Sequence, residues 1–68
     1  MNYTVVDTYT MQEFPANSMA DIEQAVHYIL DGELSEGDIE ELDAFFFEVR
    51  EYGSAYANGL GVEVVPHV

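Results

Sequence analysis

Ser35-Glu36-Gly37-Asp38-Ile39-Glu40-Glu41-Leu42-Asp43-Ala44-Phe45-Phe46-Phe47-Glu48-Val49-Arg50-Glu51 mixes acids and apolar residues at the period of an α-helix. Ile39, Leu42, Phe45, Phe46 and Val49 recur every three or four residues, which places them on one face. Ser35 has the chemistry of an N-cap, and Asp38 three positions on completes a variant of the capping box. At about 100° per residue, Tyr56 and Leu60 continue the apolar stripe and Gly53 lies on it. The pattern extends the helix through Gly53 to about Ala57, with Asn58-Gly59 as its stop, and a Gly53 inside the helix would permit close approach of a neighbour. Ending the helix at Gly53 is the alternative.

Upstream of this helix, Ser18 is a second N-cap candidate with Asp21 three residues on. From Met19 to Leu30, Met19, Ile22, Ala25, Val26 and Ile29 form an apolar helical face, and Asp31-Gly32 ends it. Tyr3 to Met11 is rich in Thr, Val and Tyr and reads as one strand. Tyr3, Val5, Tyr9 and Met11 share a face interrupted by Asp7, with Thr4, Val6, Thr8 and Thr10 on the other. Phe14-Pro15-Ala16-Asn17 reads as a connection, because Pro15 lacks an N–H. Val62, Val64 and Val65 around Glu63 read as a short final strand ended by Pro66. The resulting order, β-α-α-β, is an α+β fold with a central helical hairpin and a small antiparallel pair of terminal strands. A two-stranded sheet is weak alone, so it needs the helix pair over one face or further strands from a second subunit. With no repeat, linker or low-complexity tract, residues 1–68 read as a single small acidic domain.

The charge is one-sided. Fourteen carboxylates face one basic side chain, Arg50, for a formal net charge of −13, and nine of the fourteen lie between Asp31 and Glu51. Disordered acidic tails are poor in aromatic and branched aliphatic residues. This chain is 49% hydrophobic, with five Tyr and four Phe, and so reads as folded. Its core is thin, and a homodimer is one way to bury more apolar surface. No cysteine means no disulfide and no thiolate metal site. The start, Met-Asn-Tyr-Thr-Val-Val-Asp, has neither a positive n-region nor a long apolar h-region. The longest apolar run is Ala44 to Phe47, too short to span a bilayer. The expectation is a soluble, cytoplasmic protein that an anionic membrane surface repels.

Catalytic chemistry finds little support. No Gly-x-Ser-x-Gly or Gly-rich phosphate loop is present, and the lone Arg50 is a poor holder of nucleotide phosphates. An EF-hand reading fails in both registers. With Gly37 at the loop glycine, the first and third ligand positions fall on Gly32 and Leu34; with Asp31 first, Glu36 falls where the glycine belongs. His27 stands one helical turn from Glu23, as a solvated pair or, less commonly, a metal ligand, and His67 lies next to the C-terminus. Arg50 can lie over Phe46 or Phe47, one turn back. The chain is expected to be no enzyme and to hold no cofactor or metal.

The acidic face of the second helix is the stronger clue. Glu40, Glu41, Asp43, Glu48 and Glu51 lie away from its apolar stripe, and Glu36 and Asp38 lead into them. Carboxylates three or four residues apart stand roughly 5–6 Å from one another, and each like-charged pair costs about 0.2–0.5 kcal/mol. Glu36, Asp38 and Glu40 gain from the helix dipole, whereas Glu48 and Glu51 lie too far along to do so. Phe47 is the one aromatic of Phe45-Phe46-Phe47 that helical geometry places among the acids, and such residues anchor interfaces. A solvated, solubilising face is the bland alternative, with Phe47 packed against the N-terminal strand or a second subunit. Tyr28, Tyr52 and Tyr56 are read as core margin.

In general character the chain resembles the small acidic phage- or plasmid-encoded inhibitors that mimic DNA, the anti-CRISPR and anti-restriction proteins. The resemblance rests on size, charge, absence of cysteine and the acid-lined helix from Ser35 through Glu51. It covers the general character of the whole chain and no sequence motif, so no residue role carries over. It implies an inhibitor of a nucleic-acid-binding host defence complex, with a CRISPR surveillance complex as the first expected target and a restriction enzyme as the second. Such an inhibitor binds a Lys/Arg-rich protein surface in a bacterial cytoplasm and does not bind nucleic acid directly. The expected contacts are Glu36, Asp38, Glu40, Glu41, Asp43, Phe47, Glu48 and Glu51. The competing expectation is a non-catalytic interaction module, antitoxin-like or regulatory, that binds through an apolar patch.

Overall fold

Two short β-hairpins flank a pair of helices in this computed structural model, which describes residues 2–67. β1 (Asn2–Asp7) and β2 (Gln12–Ala16) form the first hairpin, followed by α1 (Met19–Ile29), α2 (Glu36–Tyr52) and the second hairpin, β3 (Ala55–Ala57) with β4 (Val62–His67). The strands make one antiparallel sheet in the order β2-β1-β4-β3, so the hairpins join through the strands at the two ends of the chain. This is the α+β fold with consecutive helices between terminal strands. Each terminal strand is doubled into a hairpin, so a single chain supplies all four strands.

The doubling corrects the reading of Tyr3 to Met11 as one strand. Asp7 turns the chain: its Oδ1 accepts from the N–H of Tyr9 at 3.0 Å and of Thr10 at 3.3 Å, and its carbonyl accepts from Met11 N–H at 2.7 Å. A short side chain that binds the backbone two and three residues on substitutes for the usual glycine signal. Phe14 to Ala16 is then strand, not connection. Pro15 pairs in register with Thr4, and it is tolerated because β2 is an edge strand.

Both helices start as their caps dictate. Ser18 Oγ accepts from Asp21 N–H at 3.2 Å. At α2 the box is complete, with Ser35 Oγ accepting from Asp38 N–H and Asp38 Oδ2 from Ser35 N–H, each at 3.1 Å. α1 stops at Ile29, with Leu30 as its C-cap. α2 stops at Tyr52, the shorter alternative. Gly53 takes the left-handed conformation (φ 80°) and its N–H reaches Val49 O at 2.8 Å. Tyr56 and Leu60 therefore leave the helical stripe, and Asn58-Gly59 belongs to the β3–β4 turn.

The register sets the core. Val5 opposes Val64 at the sheet centre, Ala55 continues that row from β3, and Ala57 opposes Val62. With Ala16 and Val62 they bury one face beneath Ile22 and Val26 of α1 and Leu42, Phe45, Phe46 and Val49 of α2. α1 lies over β1 and β2, and α2 over β3, where two buried alanines let the helix sit close. The opposite face, with Thr4, Val6, Glu13, Tyr56, Glu63 and Val65, has no helix against it. No helix among the described residues is long and apolar enough to cross a membrane.

Candidate partner-binding surface

α2 carries seven carboxylates and one guanidinium, and the structure sorts the expected contact residues into three groups. Glu36, Glu40, Asp43, Phe47 and Glu51 lie on the solvent side, exposed and away from the buried stripe of Leu42, Phe45, Phe46 and Val49. Phe47 is 53% exposed with Asp43 and Glu51 one turn to either side, so it lies outside the core. Glu41 and Glu48, two turns apart, flank the second hairpin. A Cβ added to Gly59 would lie 3.0 Å from the Glu41 carboxylate. Asp38 is half-buried, and its carboxylate closes the helix cap.

Summed over all its faces, α2 has a linear charge density close to that of a nucleic acid strand, and the four outward acids alone are sparser. Seven acids less Arg50 leave six net negative charges between Glu36 and Glu51. Those fifteen steps span about 22 Å, or about 3.7 Å per charge. One DNA strand carries a charge about every 3.4 Å. A helix holds its backbone rigid where a nucleic acid backbone flexes. Arg50 stands in the last turn, where a cation complements the exposed helical carbonyls.

His27 is exposed on α1. Its ring lies 6.4 Å from that of Phe46 on α2, in a tilted arrangement. Among the described residues, no three His, Asp or Glu side chains gather as a metal site. The His67 side chain lies outside the described residues.

The three tyrosines expected at the core margin are exposed instead, Tyr52 at 76% and Tyr56 at 56%, with Tyr28 similar. Tyr52 and Tyr56 border an open notch of about 450 Å³ at the C-terminal end of α2. Glu48, Ser54, Glu63, Val65 and Pro66 complete its walls. Sequence periodicity put Tyr56 on a helix and so missed its pairing with Glu63 of the final strand; the left-handed Gly53 was the one residue able to reveal the reversal.

Comparison of the chain with protein-family models, curated proteins and solved structures finds no match.

Proposed function

We propose that this protein is a non-catalytic inhibitor that occupies the basic, nucleic-acid-binding surface of a host defence complex in a bacterial cytoplasm. A CRISPR surveillance complex is the first target to test and a restriction enzyme the second. The observation that supports it is the outward row of Glu36, Glu40, Asp43 and Glu51 on one rigid helix with Phe47 exposed among them. Charge at this density steers encounter with a Lys/Arg-rich groove, and an exposed aromatic slows release. A chain with a thin core retains these like charges although each adjacent pair opposes folding.

The test is DNA cleavage by the target complex, titrated with inhibitor at two salt concentrations. Glu40→Lys, Asp43→Lys and Glu51→Lys together should abolish inhibition while the far-UV circular dichroism stays native. Retained inhibition by that triple variant would show that the charge serves solubility. An interaction module binding through an apolar patch is supported by the exposure of Phe47 and of Ile39, the latter 47% exposed. It predicts the reverse: loss of binding in Phe47→Ala and none on charge reversal.

A further inference from the structure

The notch at the end of α2 is chemically unlike the outward face. Two tyrosines line it, Tyr52 from the last turn of the helix and Tyr56 from β3. The left-handed Gly53 reverses the chain between them. Tyr56 is anchored, since its hydroxyl donates to Asn58 Oδ1 at 3.0 Å. Each tyrosine has an acidic neighbour that also lines the notch: Glu48 lies one helical turn before Tyr52, and Glu63 is the direct cross-strand partner of Tyr56. Val64, Val65 and Pro66 supply apolar wall, because β4 runs on past the start of β3.

We propose that this notch receives one guanidinium side chain, an arginine supplied by the protein partner. It rests on the proposed function for the origin of that arginine, and on the notch alone for the chemistry. Aromatic faces attract a cation, more strongly where apolar walls displace water. Carboxylates on two sides match the planar fork of a guanidinium, which binds them while stacking on a ring; an ammonium lacks that geometry. The arginine stem would lie along Val65 and Pro66. Among the described residues no cationic side chain fills the notch. Its single Arg or Lys side chain, Arg50, is two residues from Glu48 on α2, and residues so spaced do not face each other on a helix.

The test uses the full chain, ¹⁵N-labelled, titrated by NMR with N-acetyl-arginine methylamide. The neutral isostere N-acetyl-citrulline methylamide is the control. Saturable shifts should concentrate at Tyr52, Ser54, Tyr56 and Glu63 with the arginine probe and be absent with citrulline. Tyr52→Ala should weaken probe binding about two- to fivefold, as expected for loss of one cation–ring contact. Glu48→Gln, also an exposed position, should weaken it by a similar factor, and the same spectra report whether each variant is folded. Shifts spread evenly over Glu40, Asp43, Phe47 and Glu51, equal shifts with citrulline, or indifference to Tyr52→Ala would each overturn the assignment. Inhibition by the Glu40, Asp43 and Glu51 triple variant tests the outward face separately, so either proposal can fail while the other stands.

Discussion

Met11 and Gly61 occupy the same place in the two hairpins. Each is the last residue before the returning strand, and each donates its N–H to the carbonyl four residues back, Met11 to Asp7 at 2.7 Å and Gly61 to Ala57 at 2.9 Å. Each has a positive φ, 63° for Met11 and 72° for Gly61. Glycine adopts that conformation freely, whereas a residue with a Cβ is disfavoured there by roughly 1–2 kcal/mol. The second hairpin uses the residue the turn demands and the first does not.

Exchanging the residue types should therefore move stability in opposite directions. Met11→Gly should stabilise by about 0.5–1 kcal/mol, the relieved strain less the extra entropy of an unfolded glycine. Met11 is 70% exposed, so little packing is lost with its side chain. Gly61→Ala should destabilise by about 1–2 kcal/mol and must also displace the Tyr9 ring, which covers Gly61. Each kcal/mol corresponds to roughly 4–8 °C in Tm for a domain of this size. Thermal unfolding followed by circular dichroism reads both, and a fall in Tm for Met11→Gly would refute the shared-turn account.

The start of α2 offers a second pair of opposite sign. Ser35→Ala removes the acceptor for Asp38 N–H and should cost about 1 kcal/mol. Gly37→Ala, two residues on in the first turn, should gain about 0.5–1 kcal/mol by helix propensity. A Cβ there meets only Ser35 Oγ at 3.9 Å, an ordinary contact. Urea unfolding of both variants checks this; destabilisation by Gly37→Ala would mean that the capping box does not tolerate the added methyl.

Core truncation separates two isoleucines that helical periodicity treats alike. Ile22 is fully buried between α1 and the sheet, and Ile22→Ala should cost about 2–5 kcal/mol, enough to unfold much of so small a domain. Ile39 sits on the α2 stripe but is half exposed, and Ile39→Ala should cost under about 1 kcal/mol. Equal losses in chemical denaturation would require Ile39 to be buried in solution, as in a dimer.

What the sequence made legible followed from local chemistry. Both helix starts came from Ser18 with Asp21 and Ser35 with Asp38, because caps are short-range hydrogen bonds between side chain and backbone. The buried faces of α1 and α2 came from spacing. The first hairpin was hidden because Thr8-Tyr9-Thr10-Met11 contains no glycine, proline or asparagine; Asp7, which interrupts the apolar alternation, was the clue. β3 was hidden because Ala55 and Ala57 are weak strand formers, chosen by the closeness of α2 rather than by local preference. Tyr56 fell on the helical stripe by coincidence of spacing. The exposure of Phe47 among acids was readable from the wheel, whereas the notch depends on where β3 begins beside α2, a tertiary fact.

If the proposed function holds, the charge of α2 makes folding and partner binding respond to salt with opposite signs. Inside the folded chain the acids of α2 repel one another and have one guanidinium to offset them. Screening that repulsion should raise Tm as NaCl increases from about 10 to 200 mM, a range over which the Debye length falls from about 30 Å to under 10 Å. The same screening weakens attraction to a basic partner, so inhibition should fall over the same range. Glu51→Lys sharpens the contrast. It removes a negative charge from the last turn of α2 and adds a cation near the helical carbonyls, worth about 0.3–1 kcal/mol to the fold. It also places a cation one turn from Phe47 on the outward face, where it should weaken inhibition. A variant that is more stable and less inhibitory cannot have lost function through unfolding. Thermal unfolding and target cleavage, measured in the same buffers, check both responses; a Glu51→Lys protein that is stabilised yet inhibits as well as the parent would remove the C-terminal part of α2 from the contact surface.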